Sequence, residues 1–167
     1  ILVDAAAAAD VAVIFAGEGP AESQWRERAR RKGARVDFVG RRGANEVAAL
    51  MAAARAVVVP SLWPENTPAV IIEALAAGTP VVAARTGGVP EMFAEGREGM
   101  LFAPGAVNEL SEILKRLAED DDLVGRMGEA AAKRFRDTYD FRRHVDALEA
   151  CYREAVSYTH LRAHETP

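Results

Sequence analysis

Cysteine is almost absent from this chain: Cys151 is the only one in 167 residues. An internal disulfide is therefore excluded, and a reducing, cytoplasmic setting fits best. No uninterrupted apolar run approaches about eighteen residues, so no membrane-spanning helix is expected, and no basic-then-apolar leader opens the chain. Aromatic residues make up only 7% of the sequence, and none interleave with the basic residues as a single-strand nucleic-acid platform requires. The net charge of −4 does not supply the positive excess that a phosphate backbone attracts.

What is present is half apolar by composition, which at this length predicts one domain with a full core. The chain opens on Ile1-Leu2-Val3-Asp4-Ala5 in the middle of an alanine-rich helical pattern with no cap, which reads as a cut end. Short apolar runs then alternate with helical patterns. Val11–Ala16 predicts a strand buried on both faces and ending at Gly17-Glu18-Gly19-Pro20, and a helix follows to Lys32 and stops at Gly33. Arg35–Val39 predicts a strand ending at Gly40-Arg41-Arg42-Gly43, with an alanine-rich helix from about Asn45 to Arg55. Ala56–Val59, Pro80–Ala84 and Gly99–Ala103 predict further strands. Helices are expected over about 107–118, 123–136 and 141–155, with Glu119–Asp122 suiting a helix N-terminus. This alternation predicts an α/β domain, a Rossmann-like doubly wound parallel sheet, whose ligands bind beyond the carboxyl ends of the strands.

The stretch Pro60–Gly78 lies on that edge. Thr67 suits an N-cap, Pro68 a first helical position, and Gly78-Thr79-Pro80 a stop. Between them, Ala69-Val70-Ile71-Ile72-Glu73-Ala74-Leu75-Ala76-Ala77 has no polar face apart from Glu73, so the helix is expected to be buried all round. A carboxylate there needs either a salt bridge or ligand hydroxyls, and composition leaves these even. Glu65 lies eight residues earlier, and the free amides at the helix start favour an anion.

Two rival readings are weaker. Gly17-x-Gly19 after a strand, with Asp37 further on, suggests a nicotinamide dinucleotide site, but Glu22 replaces the third glycine and Asp37 falls inside its strand. The basic cluster from Arg26 to Arg42 could bind nucleic acid, yet Glu22–Arg26 and Glu27–Arg31 fall at i, i+4 spacing and predict a solvated, paired face. Several single residues are open to plain readings. Cys151 reads as a small packed side chain, His144 as a surface histidine, Glu91 as a cap for loop amides, and Trp63 either as a ligand stack or as a plug under its loop. Residues 156–167 show no clear period and read as a non-native tail; His160 and His164 lack a third ligand for a metal.

Gly17-Glu18-Gly19-Pro20, Phe38-Val39-Gly40, Pro60-Ser61, Glu65…Glu73-Ala74, Gly78-Thr79-Pro80-Val81-Val82-Ala83 and Gly87-Gly88-Val89-Pro90-Glu91 together resemble the C-terminal lobe of family 4 retaining glycosyltransferases. The resemblance spans residues 1–155 and implies one lobe of a two-lobe GT-B fold, acting in carbohydrate biosynthesis. It implies a nucleotide-sugar donor as partner, no metal and no further cofactor. Glu73 would hold the donor ribose, and Glu65, the catalytic-site glutamate, would contact the transferred sugar. Asn66 and the amides of Thr67, Ala69 and Val70 would approach the sugar and diphosphate, Gly40, Arg41 and Arg42 the nucleobase, and Gly17 and Gly19 the pocket floor. Pro68 departs from the family's glycine and removes one amide donor. The family's Arg and Lys pair for the diphosphate, and the acceptor lobe through which it reaches the membrane's cytoplasmic face, would lie upstream of Ile1. The 167 residues alone are therefore expected to transfer no sugar and to bind donor weakly.

Overall fold

A computed structural model describes the backbone of residues 1–163 and the side chains of residues 1–156. Eight α-helices and five strands occur among the described residues: α1 Leu2–Ala9, β1 Val13–Ala16, α2 Glu22–Lys32, β2 Val36–Gly40, α3 Ala44–Ala53, β3 Val57–Val59, α4 Ala69–Ala76, β4 Val81–Ala84, α5 Val89–Met92, β5 Gly99–Phe102, α6 Val107–Glu119, α7 Asp121–Arg134 and α8 Phe141–Ala163. A π-helical turn, Phe135–Tyr139, separates α7 from α8.

Every strand pairing is parallel, as the alternation of strands and helices predicts. The strands nevertheless fall into two hydrogen-bonded sets, β1–β2 and β3–β4–β5, rather than one continuous sheet. Two apolar clusters cover the faces of the larger set. Val82, Ala84, Met100 and Phe102 meet Leu2 and Ala5 of α1, Leu110 and Leu114 of α6, and Met127 of α7. Val81, Ala83 and Leu101 point the other way, to Ile71 and Leu75 of α4, Val89 and Met92 of α5, and Ala131 of α7. The period of two along β4 thus feeds both layers.

Local chemistry fixes the helix ends. Asp120 caps α7 by accepting from the Leu123 amide at 2.8 Å, as the acidic run predicts. The end of α4 closes with Gly78 at φ 68°, its N–H bonded to Leu75 O and that of Thr79 to Ala74 O. The Thr79 hydroxyl, buried, donates to Met51 O at 2.8 Å and so ties this end to α3.

Several expectations are corrected. β1 is not buried on both faces: Ile14 is 53% exposed, because no described residue covers that side of the β1–β2 pair. Nor is α4 buried all round: Ala69, Glu73 and Ala76 form an exposed stripe at i, i+4, i+7, since α3 meets α4 only in part. Cys151 is exposed rather than packed, because α8 carries it away from the core. The helix α8 continues to Ala163, with no glycine or proline in 156–163 to stop it, so the backbone does not break at 156. The side chain of His160 and the whole of His164 lie outside the described residues. No described helix is long and apolar enough to cross a membrane.

Candidate functional site

The carboxyl ends of the strands carry the loops singled out by the sequence, and each loop is held by backbone contacts to its neighbour. At β1 and β2, the Gly17 amide donates to Gly40 O at 2.8 Å, with Gly17 and Gly40 both at positive φ. Glu18 accepts from the Arg41 amide at 3.4 Å. Arg42 lies 3.8 Å from Glu46, whose carboxylate also accepts from the Gly43 amide at 3.0 Å and caps the start of α3. Gly19 accepts from the Glu22 amide and opens α2; a side chain there would meet nothing within 4 Å, so space alone does not demand a glycine.

At β3 and β4 the contact is tighter. The Gly88 amide donates to Glu65 O at 2.9 Å. A Cβ on Gly87 would stand 2.4 Å from Glu65 O, and one on Gly88 2.2 Å from Asn66 O. These glycines let two loop backbones touch and so fix where Glu65 and Asn66 sit. The lower side of this unit is anchored in turn, because Tyr139 of the π-helical turn donates to Met92 O at 2.8 Å. Glu91 caps no loop amide with its side chain. Its backbone carbonyl accepts from Arg134 Nη2 at 3.4 Å, and its amide donates to Gly88 O at 3.1 Å. Sequence reasoning gave Gly87 and Gly88 no task in the site; the signal was the doubled glycine one strand beyond the glutamate.

Helix α4 starts one residue later than expected. Pro68, not Thr67, is its extended N-cap, and the first turn closes when Ile71 N–H bonds Pro68 O at 3.0 Å. The amides of Ala69 and Val70 precede that bond and remain available at the carboxyl edge of the sheet. Asn66 and Thr67 are exposed beside them, and Glu65 is half-buried.

Glu73 projects from the exposed stripe of α4 into a groove of about 710 Å³, opposite Ala44, Asn45, Val47 and Met51 of α3. Its carboxylate has no hydrogen bond and no ion pair among the described residues, so the salt-bridge explanation is not realised. Asn45 and Ala44, which face it, escaped sequence reasoning, because only the packing of α3 on α4 brings them there. Glu65, Asn66, Thr67, Gly17, Gly19, Gly40, Arg41 and Arg42 do not line this groove, so the structure leaves them on neighbouring loops rather than gathering them in one cavity. Trp63 is 81% exposed, which removes the reading of it as a plug beneath its loop.

The rival sites look different in three dimensions. Asp37 pairs with Ile14 within β2, away from its carboxyl end. Arg26, Arg28, Arg30, Arg31, Arg35 and Arg42 each pair with an acid, and Arg26 also covers the Phe38 ring at 4.5 Å. His144 is exposed on α8, in keeping with a surface residue. No cluster of three or more His, Cys, Asp or Glu that could hold a metal ion occurs among the described residues.

The family model for glycosyl transferases group 1 matches residues 2–134. The D-inositol 3-phosphate glycosyltransferase of Corynebacterium glutamicum is 37% identical over 123 residues, which cover 74% of this chain and 29% of that protein. The MMP alpha-(1->4)-mannosyltransferase of Mycolicibacterium hassiacum is 33% identical over 114 residues, 68% of this chain and 28% of that protein. Anabaena Alr3699/HepE in complex with UDP superposes with a TM-score of 0.78 at 29% identity, covering 94% of this chain and 44% of that one. The chain thus spans less than a third of the length of these curated relatives. Its parallel α/β architecture is that of a Rossmann-like lobe of GT-B glycosyltransferases, and the chain belongs to the group 1 glycosyl transferases.

Proposed function

We propose that this chain is the donor-binding, C-terminal lobe of a retaining family 4 glycosyltransferase, which takes a sugar from a nucleoside-diphosphate sugar and passes it to an acceptor. The observation that carries the reading is Glu73, an unpartnered carboxylate in a groove on an otherwise apolar helix. A carboxylate accepts from two vicinal hydroxyls at once, which suits a ribose. The relatives add support, since Anabaena Alr3699/HepE has been crystallised with UDP and glucose.

Division of labour follows from position. Glu73 holds the ribose, and the start of α3 and the Gly40–Arg42 loop frame the nucleobase beside it. The amides of Ala69 and Val70 meet the diphosphate, where charge builds as the sugar departs; amides fixed before the reaction stabilise that charge without reorganising. Glu65 contacts the transferred sugar, and the backbone contact with Gly87 and Gly88 keeps it in place. The acceptor and further diphosphate contacts come from a second lobe of the intact enzyme, so the 167 residues alone turn over no donor.

Calorimetry and kinetics on the intact enzyme test these roles. Glu73→Gln is expected to weaken nucleoside diphosphate binding by about tenfold or more, the scale of a charged hydrogen bond lost. Glu65→Gln is expected to abolish measurable transfer while nucleotide affinity stays close to wild type. Undiminished nucleotide binding by Glu73→Gln would remove the ribose role, and sugar transfer by the isolated 167 residues would refute the need for a second lobe.

A further inference from the structure

We infer, on the reading of Glu65 given above, that Tyr139 and Arg134 are positioning residues for the transfer step. They hold helix α5 at its carbonyl end, and α5 in turn fixes the backbone that carries Glu65.

Helix α5 is too short to hold itself. It is a single turn, Val89–Met92, and at Phe93 the backbone becomes extended, with φ −150° and ψ 159°. A lone turn is unfavourable in isolation, because several residues are fixed for very few hydrogen bonds. The carbonyls of Glu91 and Met92 also have no later helical amide from which to accept. Burial of Val89, Met92 and Phe93 against Ile71 and Leu75 of α4 keeps the turn in the core. Apolar contact is non-directional, so it leaves the rotation of the turn and its slide along its axis weakly defined.

Two side chains beyond the core supply the direction. Tyr139 Oη donates to Met92 O at 2.8 Å, and Arg134 Nη2, at the end of α7, donates to Glu91 O at 3.4 Å. Arg134 Nε is buried without a hydrogen-bond partner, so among the described residues this carbonyl is what the guanidinium holds. Tyr139 is the last residue of the π-helical turn. Such turns insert an extra residue into a helix and gather at functional sites.

From α5 the connection runs straight to the donor loop. Glu91 N–H donates to Gly88 O at 3.1 Å, and Gly88 N–H donates to Glu65 O at 2.9 Å. The contact has no slack, since a Cβ on Gly87 or Gly88 would stand within 2.4 Å of Glu65 O or Asn66 O. A shift of α5 is therefore passed to Glu65 rather than absorbed. Glu73 is fastened differently: α3 frames its groove, and the Thr79 hydroxyl ties α3 to the end of α4 at 2.8 Å. Loss of the α5 anchor should thus misplace the sugar contact and spare the ribose contact. A misplacement of about 1 Å can slow chemistry about a hundredfold.

The test uses the intact enzyme. Tyr139→Phe keeps the ring and removes only the hydroxyl. It is expected to lower kcat about tenfold, leave nucleoside diphosphate Kd within about twofold, and speed Gly88 amide exchange about tenfold. Arg134→Met should show the same pattern more weakly, in keeping with its longer bond. Thr79→Val deletes a buried hydroxyl bond of the same 2.8 Å length and should leave Gly88 exchange as in wild type. Unchanged kcat in folded Tyr139→Phe would overturn the proposal, as would parallel losses of kcat and nucleotide affinity. Equal acceleration of Gly88 exchange by Thr79→Val would overturn it too, because general loosening would then account for the effect. The exchange measurement needs no donor. A Gly88 amide indifferent to Tyr139→Phe refutes the positioning role, whereas full activity of Glu65→Gln refutes the sugar role of Glu65 instead.

Discussion

Strand β4 in the β3–β4–β5 half and strand β1 in the β1–β2 half are alike in length and apolar character, yet their fates differ. Val81-Val82-Ala83-Ala84 is buried throughout, while in Val13-Ile14-Phe15-Ala16 every second residue is exposed. Both runs are short, apolar and bounded by turn residues. The difference lies in their neighbours: β4 has a strand on each side and helices on both faces, whereas β1 has one strand and one covered face. Burial is a property of the surroundings, and a strand sequence states only what burial it is suited to.

Substitutions can break or sharpen this contrast. The largest effect is expected from Ile71→Ala in α4, fully buried against the larger half, at about 3 kcal/mol in urea unfolding. Gly88→Ala should cost about 2 kcal/mol, because its Cβ must displace the Asn66 carbonyl. In the intact enzyme it should also depress turnover more than nucleotide affinity, since the Glu65 loop moves. Ile14→Ala deletes the same atoms as Ile71→Ala but should cost roughly 1 kcal/mol or less while the residue stays half exposed. Equal costs at the two positions would erase the contrast drawn above.

The smallest effect is expected at Asp4, which binds Arg28 at 2.8 Å and so fastens α1 to α2 on the open half. The hydrogen bond from Arg28 holds the Asp4 carboxyl below its ordinary value, despite partial desolvation. A lowered folded-state value means that this stabilisation is present above the ordinary carboxylate range and is lost as pH falls through the folded value. Asp4→Asn should therefore be slightly less stable than wild type at neutral pH, with the gap closing in acid. Unfolding curves across pH check the sign, and a gap that widens in acid would contradict it.

Most of the order of elements was legible, because turn chemistry marks it: Gly33, Gly78 and Asp120 end or begin helices where their conformations require. The start of α4 was misread by one residue, since Thr67 and Pro68 both satisfy a helix start and only the closing bond from Ile71 chooses between them. The unpartnered state of Glu73 was not legible, because it depends on which residues of α3 lie opposite. The clamp on Glu65 was equally hidden, as it joins loops more than twenty positions apart through backbone atoms that any residue possesses. The exposure of Ile14 follows from an absent neighbour, which a strand's own residues do not encode.

The two tryptophans give these ideas an optical handle. Trp25 and Trp63 are the chain's only indoles, both line one groove with Ile1, Phe15 and Pro60, and they are 43% and 81% exposed. Emission from the 167-residue chain should thus be red-shifted and readily quenched by iodide. Any ligand or partner that settles over that groove has to shift the light to the blue and shield it. The protein therefore reports coverage of this groove without any attached dye.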